Sequence, residues 1–544
     1  MKVVIVGGVA GGASCATRLR RLDESAEIII FERGAHVSYA NCGLPYFIGG
    51  EIEREEDLTV ASPAFLRRRF NIDVRVLSEV VAVDAAAHTV TVRTPEKEYT
   101  EKYDKLVLAP GAGAKTLGLS GEGVFTLRDV RDTLELDAFI RENGVKSALV
   151  AGGGFIGVEI AENFVRRGLQ VTLAEFAPQL MPPLDAEMAQ LVKEELEKGG
   201  VTVRTSTGVK SVQKTDGGVK VTLTDGSSLT AGVVVLAMGV APETALAKAA
   251  GLKLTESGGI WTDENMRTSN ADIYAAGDAI GVIGPDGAPA LIPLAGPANR
   301  QGRSVADNIA GGSSSNGKKV LGASVVKVFS LTFASVGRNE KQLLRAGVKY
   351  KKAYCFPLTH AGYYPGASQL TLKLLFGENG EIFGAQAAGR ENVEKQIDVI
   401  SVLMACGGSV HDMARAELCY APPYNSAKSP VNMLGFIAEN ILSGLCPTVY
   451  VEDLNKESFV LDVRTPSECA QGGIPGAVNI PLDDLRQNLD KLPKDRRIAV
   501  SCAVGLRGYL GVRILRQRGF DAADLSGGYR MYALMNRAGL LKQE

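Results

Sequence analysis

The chain has 544 residues, too many for one hydrophobic core and enough for three or four domains. With 45% hydrophobic residues, 22% charged residues and 62 glycines, it reads as a soluble α/β enzyme rich in tight turns. Its net charge of −1 excludes a global basic field for nucleic acid or an anionic membrane surface.

The first predicted unit is strand, turn, helix, strand. Val3-Val4-Ile5-Val6 is a β-branched run suited to a parallel strand buried on both faces. Gly7-Gly8-Val9-Ala10-Gly11-Gly12 is the turn, Ala13 to Leu22 the helix, and Glu27 to Glu32 the second strand. The apolar start, Met1 to Gly8, is far too short to span a membrane and leads into a glycine turn instead of a cleavage site. The pattern recurs mid-chain: strand Ser147 to Ala151, turn Gly152-Gly153-Gly154-Phe155-Ile156-Gly157, helix Val158 to Arg167, strand Gln170 to Glu175. Leu106 to Gly111 and Val233 to Gly239 are buried-looking strands ending in small residues, where a backbone must approach a ligand closely.

Residues 323–444 read as a separate α/β domain. Strands Leu370–Phe376 and Ile382–Ala388 are joined by the turn Gly377-Glu378-Asn379-Gly380. Helices are expected at about 391–406 and 427–442. Gly311 to Gly317 is the flexible connector before this domain. After Leu445-Cys446-Pro447 a further compact unit begins.

The eight cysteines are dispersed, with no CxxC and no Cys/His cluster, so a structural zinc site is not expected. This usage, with no secretory pattern at the start, reads as reduced thiols and a cytoplasmic location.

A dinucleotide loop needs a tight turn, a close backbone approach to the pyrophosphate and a helix N-terminus aimed at it. Gly152, Gly154 and Gly157 supply these, with Ile156 inside the turn. Glu175 can accept the ribose hydroxyls and would repel a 2′-phosphate, and Phe176-Ala177-Pro178 offers no Arg, so NADH is favoured over NADPH. In the first loop Gly7 and Gly12 stand, Val9 replaces the middle Gly, and Glu32 ends the next strand. The segment Thr268 to Asp278 ends in Ala-Gly-Asp, with Asp278 placed to meet a flavin ribityl chain.

Residues 1 to about 444 resemble the two-dinucleotide-domain flavoprotein reductases, the pyridine nucleotide-disulfide oxidoreductases. The resemblance implies FAD on the first loop and NADH on the second. It completes the cofactor set with Arg33, Val81, Ala109, Gly111 and Gly239. It also implies a discontinuous FAD domain (1–112 and 244–322), an NAD domain (113–243) and a dimerisation domain (323–446) forming a homodimer.

Cys42 lies in Ser38-Tyr39-Ala40-Asn41-Cys42-Gly43-Leu44-Pro45-Tyr46, with no second Cys nearby. Dithiol relatives carry a Cys pair here. A lone thiol must pair with oxygen, sulfane sulfur or a small-molecule thiol. Its place after the flavin unit predicts a lowered thiol pKa. The segment resembles the single-Cys branch: coenzyme A disulfide reductases, persulfide reductases, and NADH peroxidases and oxidases. Peroxidases and oxidases generally carry a His at the position of Ala10. His360 to Pro365 and Tyr420 to Tyr424 match the two-tyrosine motifs of the coenzyme A branch. There Tyr363 and Tyr420 would assist the partner subunit's active thiol. Coenzyme A contacts carry over to Ser14, Arg18, Arg21, Ser38, Asn41, Arg69 and Lys428.

Residues 449–544 resemble rhodanese domains; the unit is taken as 447–544. Arg497 to Ser501 is a strand entering Cys502-Ala503-Val504-Gly505-Leu506-Arg507, which opens a helix. Backbone N–H groups, a helix N-terminus and Arg507 would cradle a thiolate or persulfide at Cys502. Gly473 stands where a His often precedes Ile-Pro-Gly-Ala.

The fold class is α/β: two Rossmann-like domains, an α/β dimerisation domain and an α/β rhodanese domain. The expected activity is FAD-dependent NADH:persulfide reduction acting on coenzyme A persulfide, coenzyme A disulfide and polysulfide, with Cys42, Tyr363, Tyr420, Cys502 and Arg507 as catalytic groups. The alternatives are a plain coenzyme A disulfide reductase, an NADH oxidase or peroxidase, and a non-enzymatic sensor or sulfur carrier. Nucleic acid, membrane and metal are not expected partners.

Overall fold

The computed structural model describes residues 1–314 and 317–541. The connector Gly311 to Gly317 runs through residues 315 and 316, which lie outside the described residues. The chain divides into two compact units, Met1–Pro178 with Leu196–Gly322, and Gln179–Glu195 with Ala323–Glu544.

In the first unit, one five-stranded sheet runs in the order Ile273–Ala275, Lys105–Leu108, Lys2–Val6, Glu27–Phe31, Asp73–Arg75, all parallel. Val3, Val4 and Ile5 are fully buried, as a strand covered on both faces requires. A second parallel sheet runs Val201–Arg204, Gln170–Ala174, Ser147–Ala151, Val233–Leu236, Val124–Phe125.

The two glycine turns have the same geometry. Gly7 has φ +92°, and a Cβ there would lie 2.2 Å from the Ala109 carbonyl oxygen. Gly152 has φ +112°, and its Cβ would lie 2.3 Å from the Ala237 oxygen. The helices start earlier than expected, at Ala10 instead of Ala13 and at Phe155 instead of Val158. The cause is the last glycine of each turn. Gly12 and Gly157 sit inside the first helical turn, where a Cβ would come within 1.9 Å of the Gly7 and Gly152 oxygens. Only glycine lets the helix pack that closely on its strand.

In the second unit, an antiparallel sheet runs Ser324–Val328, Leu331–Gly337, Ile382–Gly389, Thr371–Phe376, Lys351–Cys355. Helices Val393–Ala405 and Pro430–Leu442 fall where the sequence places them. Pro430 begins the second helix, and the Ser429 side chain accepts from the Asn432 N–H as its cap. Residues 447–541 form a parallel sheet in the order Thr448–Val449, Ala522–Leu525, Ile498–Ser501, Phe459–Asp462, Val478–Asn479.

A buried ion cluster ties this unit together. Lys373 is 0% exposed and pairs with Asp185 at 2.8 Å and with Glu187 and Glu340. Asp185 and Glu187 come from the segment 179–195, and their pairing with Lys373 helps hold it in this unit. Lys352 joins Glu340 at 3.1 Å to Glu452, and Tyr450 Oη both accepts from the Lys352 N–H and donates to its carbonyl, each at 3.0 Å. The C-terminal sheet is thereby anchored to the edge strand Lys351–Cys355. Among the described residues, no helix is long and apolar enough to cross a membrane.

Candidate active site

Both nucleotide turns close with a glutamate. Glu32 accepts from the Gly8 N–H at 3.0 Å and from the Gly34 N–H at 2.9 Å. Glu175 accepts from Gly153 at 2.6 Å and from Ala177 at 2.7 Å. Each carboxylate is fixed beside a helix N-terminus, where it can meet a ribose while the peptide N–H groups meet a pyrophosphate. Gly111 (φ +77°) and Gly239 (φ +92°) adopt the left-handed backbone expected of strand ends that admit a ligand. Gly154 caps the second helix in an extended conformation, and Ile156 is half-buried in that helix's first turn. Val81 sits at a bulge between Val80 and Ala82, and Arg33 is exposed, 3.7 Å from Glu243.

Cys42 lies in the 3-10 turn Asn41–Gly43, which leads into the short helix Leu44–Gly49. The residue is exposed on one side, but its sulfur lies deep enough that its thiol pKa is raised by burial, then by Glu159 and Asp278, with Arg128 opposing. The expected depressed thiol is therefore not what this geometry produces. One guanidinium does not offset desolvation and two carboxyl groups. Burial also raises the Glu159 carboxyl to about 7, against a hydrogen bond from Tyr46 Oη at 3.3 Å. Asp278 is raised by burial and held by Arg128 Nη2 at 3.3 Å. Asn41, with its amide turned to satisfy both ends, accepts from Arg128 Nη1 at 3.1 Å and donates to the Tyr39 carbonyl at 3.3 Å. Ser38 takes φ +49° and its N–H donates to the Gly8 carbonyl at 2.8 Å, which brings the Cys42 segment against the first glycine turn.

The expected coenzyme A contacts divide. Ser14 donates to Asn299 Oδ1 at 2.5 Å, and Arg18 is paired with Asp307 at 2.7 Å, so its charge is already partly answered. Arg21 and Arg69 are exposed, the latter with its guanidinium 4.8 Å from the Phe65 ring centre. Lys428 belongs to the second unit and is exposed just before the Ser429 cap. Tyr363 and Tyr420 are brought together: their hydroxyls lie 2.7 Å apart and their side chains are exposed.

Cys502 is buried at the end of the strand Ile498–Ser501, before the helix Leu506–Arg516. The Gly505 N–H donates to Sγ at 3.0 Å. Burial raises the thiol pKa, while N–H groups of Gly508, Gly505 and Val504 lower it. The cradle is present, but burial outweighs it. Arg507 does not stand free over the sulfur. It makes two contacts to Glu468, at 2.8 and 2.6 Å, and holds that carboxyl down to about 2. Gly473 faces Arg464, which is ion-paired to Asp462 at 2.7 Å and lies over the Tyr529 ring.

Three family descriptions match the chain. Residues 1–302 match pyridine nucleotide-disulphide oxidoreductase, 323–430 its dimerisation domain, and 447–534 the rhodanese-like domain. The chain belongs to the pyridine nucleotide-disulphide oxidoreductases.

This oxidoreductase is similar over 99% of its length to reduced Bacillus anthracis CoADR-RHD, at 44% identity and a TM-score of 0.96, covering 98% of that chain. It is similar to an NAD-dependent persulfide reductase from A. fulgidus at 36% identity and a TM-score of 0.92, over 98% of this chain and 100% of the other. A coenzyme A disulfide reductase of Staphylococcus haemolyticus is 35% identical over 444 residues, 81% of this chain and 100% of the relative. As a member of this family, it is a flavoprotein oxidoreductase that uses FAD and NADH, and both glycine turns fit such dinucleotides: a Cβ at Gly7, Gly12, Gly152 or Gly157 would strike backbone oxygens and force open the tight turn that sets a helix N-terminus beside the pyrophosphate.

Sequence reasoning missed Glu159, Tyr46 and Arg128. Glu159 had a readable signal, a carboxylate within the apolar helix run Phe155-Ile156-Gly157-Val158-Glu159-Ile160-Ala161. Arg128 had none, because nothing local distinguishes it from a surface arginine.

Proposed function

We propose that this oxidoreductase is an NADH-dependent reductase of coenzyme A persulfide and coenzyme A disulfide, with a C-terminal rhodanese that handles sulfane sulfur. One observation carries the reading: Cys42 is a free thiol with no resolving cysteine in its segment, with the carboxyl groups of Glu159 and Asp278 acting on it and the fixed positive charge of Arg128 opposing them. A lone thiol can complete a redox cycle with a sulfur brought by its substrate, without a second cysteine.

Glu32, Asp278 and the Gly7–Gly12 turn would hold FAD; Glu175 and the Gly152–Gly157 turn would hold NADH. Bound FAD supplies the path by which two electrons pass from NADH to a disulfide at Cys42. Attack by the Cys42 thiolate on coenzyme A persulfide would expel hydrosulfide and leave a mixed disulfide; on coenzyme A disulfide it would expel the coenzyme A thiol. Two electrons then return Cys42 to the thiolate and release coenzyme A. Arg128, beside Cys42, would stabilise the thiolate against the raising effect of burial. Tyr363 and Tyr420, as a hydroxyl pair, would protonate the departing thiolate of a second copy's site in a homodimer. Ser14, Arg18, Arg21, Ser38, Asn41, Arg69 and Lys428 would bind coenzyme A. Cys502 would take sulfane sulfur from polysulfide, with Arg507 fixing its loop through Glu468. The absence of a His at Ala10 weighs against an oxidase or peroxidase. A cytoplasmic setting suits these reduced thiols.

The test is anaerobic NADH oxidation with coenzyme A persulfide, coenzyme A disulfide or peroxide, in wild type, Cys42→Ser and Cys502→Ser. Persulfide should turn over fastest with hydrosulfide release, and Cys42→Ser should abolish it. Equal rates with the disulfide would favour a thiol-maintaining disulfide reductase. Faster turnover with peroxide would overturn the reading.

A further inference from the structure

A carboxyl group lies against the rhodanese loop that neither the sequence motif nor the proposed chemistry uses. Asp524 sits on the strand Ala522–Leu525, beside Val500 and two residues from Cys502 across the parallel register. Its Oδ1 is buried and has no hydrogen-bond partner. It points at the first turn of the helix Leu506–Arg516. A Cβ on Gly508 would lie 2.2 Å from Oδ1, and a Cβ on Gly505 would lie 3.9 Å from Oδ2. Gly508 therefore has two neighbours of opposite demand. Its N–H helps hold the Cys502 sulfur, and its Cα side abuts the Asp524 carboxyl.

Two acidic groups thus flank one helical turn, and only the Cys502 sulfur receives its N–H groups. We propose that Asp524 is a positioning residue whose ionisation and that of Cys502 exclude one another, so that this region carries one negative charge at a time. The surroundings support this. Facing Asp524 are Cys502 from the loop and Cys446 from the preceding segment, and its ionisation raises both thiols. Arg513 and Arg516 of the helix act on Cys446, and among the described residues no cation pairs with Asp524. An ionised carboxyl here would be buried without compensation, and burial holds it up at about 8. When Cys502 is anionic, as thiolate or persulfide, Asp524 keeps its proton; when Asp524 ionises, Cys502 holds its own.

The test is the pH dependence of Cys502 alkylation in the full-length protein, followed at the Cys502 peptide by mass spectrometry. This readout needs no reductase substrate, so it is independent of the proposed reaction at Cys42. Wild type should show a profile broader than one ionisation. Asp524→Asn should show a single ionisation with its midpoint about one pH unit lower. An unshifted Asp524→Asn profile overturns the proposal. Should Asp524→Asn not fold, Asp524→Ala replaces it, and a simple one-group profile in wild type also overturns it.

Discussion

Tyr46 Oη lies 3.3 Å from Glu159 Oε1, and Glu159 is the charged group that most raises the Cys42 thiol. After burial itself, Glu159 is the largest influence on when that thiol ionises. Glu159 holds its proton below about 7 and is charged above it. Ionised Glu159 opposes the Cys42 thiolate, so Glu159→Gln should lower the midpoint of Cys42 alkylation against pH by about one unit. Peptide-level alkylation rates check this, and an unchanged midpoint would sink it. Because the folded carboxyl is raised from its ordinary 4.5, its contribution to stability declines as pH rises from 4.5 through about 7.

The matched glycine turns allow the proposed FAD and NADH sites to be tested apart. Gly7→Ala places a methyl 2.2 Å from the Ala109 oxygen and should give protein purified without flavin absorbance. Gly152→Ala places one 2.3 Å from the Ala237 oxygen and should retain flavin while losing NADH-driven flavin bleaching. Loss of flavin in both variants would contradict the assignment of one nucleotide to each turn.

Tyr363 and Tyr420 share one hydrogen bond of 2.7 Å, and that bond raises the Tyr363 hydroxyl. If they act as one proton donor, Tyr363→Phe and Tyr420→Phe should each reduce disulfide turnover about tenfold, and the double variant no further. Multiplicative losses would mean that the two hydroxyls act separately.

Gly528 has φ +56°, and a Cβ there would lie 2.3 Å from the Cys502 carbonyl oxygen. Gly528→Ala should displace the sulfur loop and cut transfer of sulfane sulfur from thiosulfate by about 100-fold. NADH oxidation with coenzyme A disulfide should be unchanged. A parallel loss of both activities would show that the rhodanese loop also serves the Cys42 reaction.

The Lys373 cluster makes a stability prediction. Lys373→Met would strand Asp185, Glu187 and Glu340 without their ammonium partner, at a cost of about 3–5 kcal/mol. Despite burial, Lys373 and Lys352 hold Glu340 down to about 2, from an ordinary 4.5. Its contribution is present above 4.5 and is lost as pH falls toward 2. Denaturant unfolding of wild type and Lys373→Met at neutral and acid pH measures both effects; equal stabilities at neutral pH would refute the account.

Features set by a few adjacent residues were readable from the chain alone. The two glycine turns, the closing Glu32 and Glu175, the hairpin at Gly377 to Gly380, the lone Cys42 and the Cys502 loop are all local. Backbone sterics and helix N-termini act over such short spans, so residue type and spacing suffice. The pairing of Tyr363 with Tyr420 also came from motifs. The helix starts were misplaced because the close packing of Gly12 and Gly157 on their own turns depends on three-dimensional contact. Only the tertiary structure placed Glu159 and Arg128 near Cys42, paired Arg18 with Asp307, turned Arg507 toward Glu468 and set Asp524 behind Cys502. It also reversed the expected direction of the Cys42 thiol. Proton affinity depends on burial and on charges at a few ångströms, and those neighbours come from residues far apart in the chain.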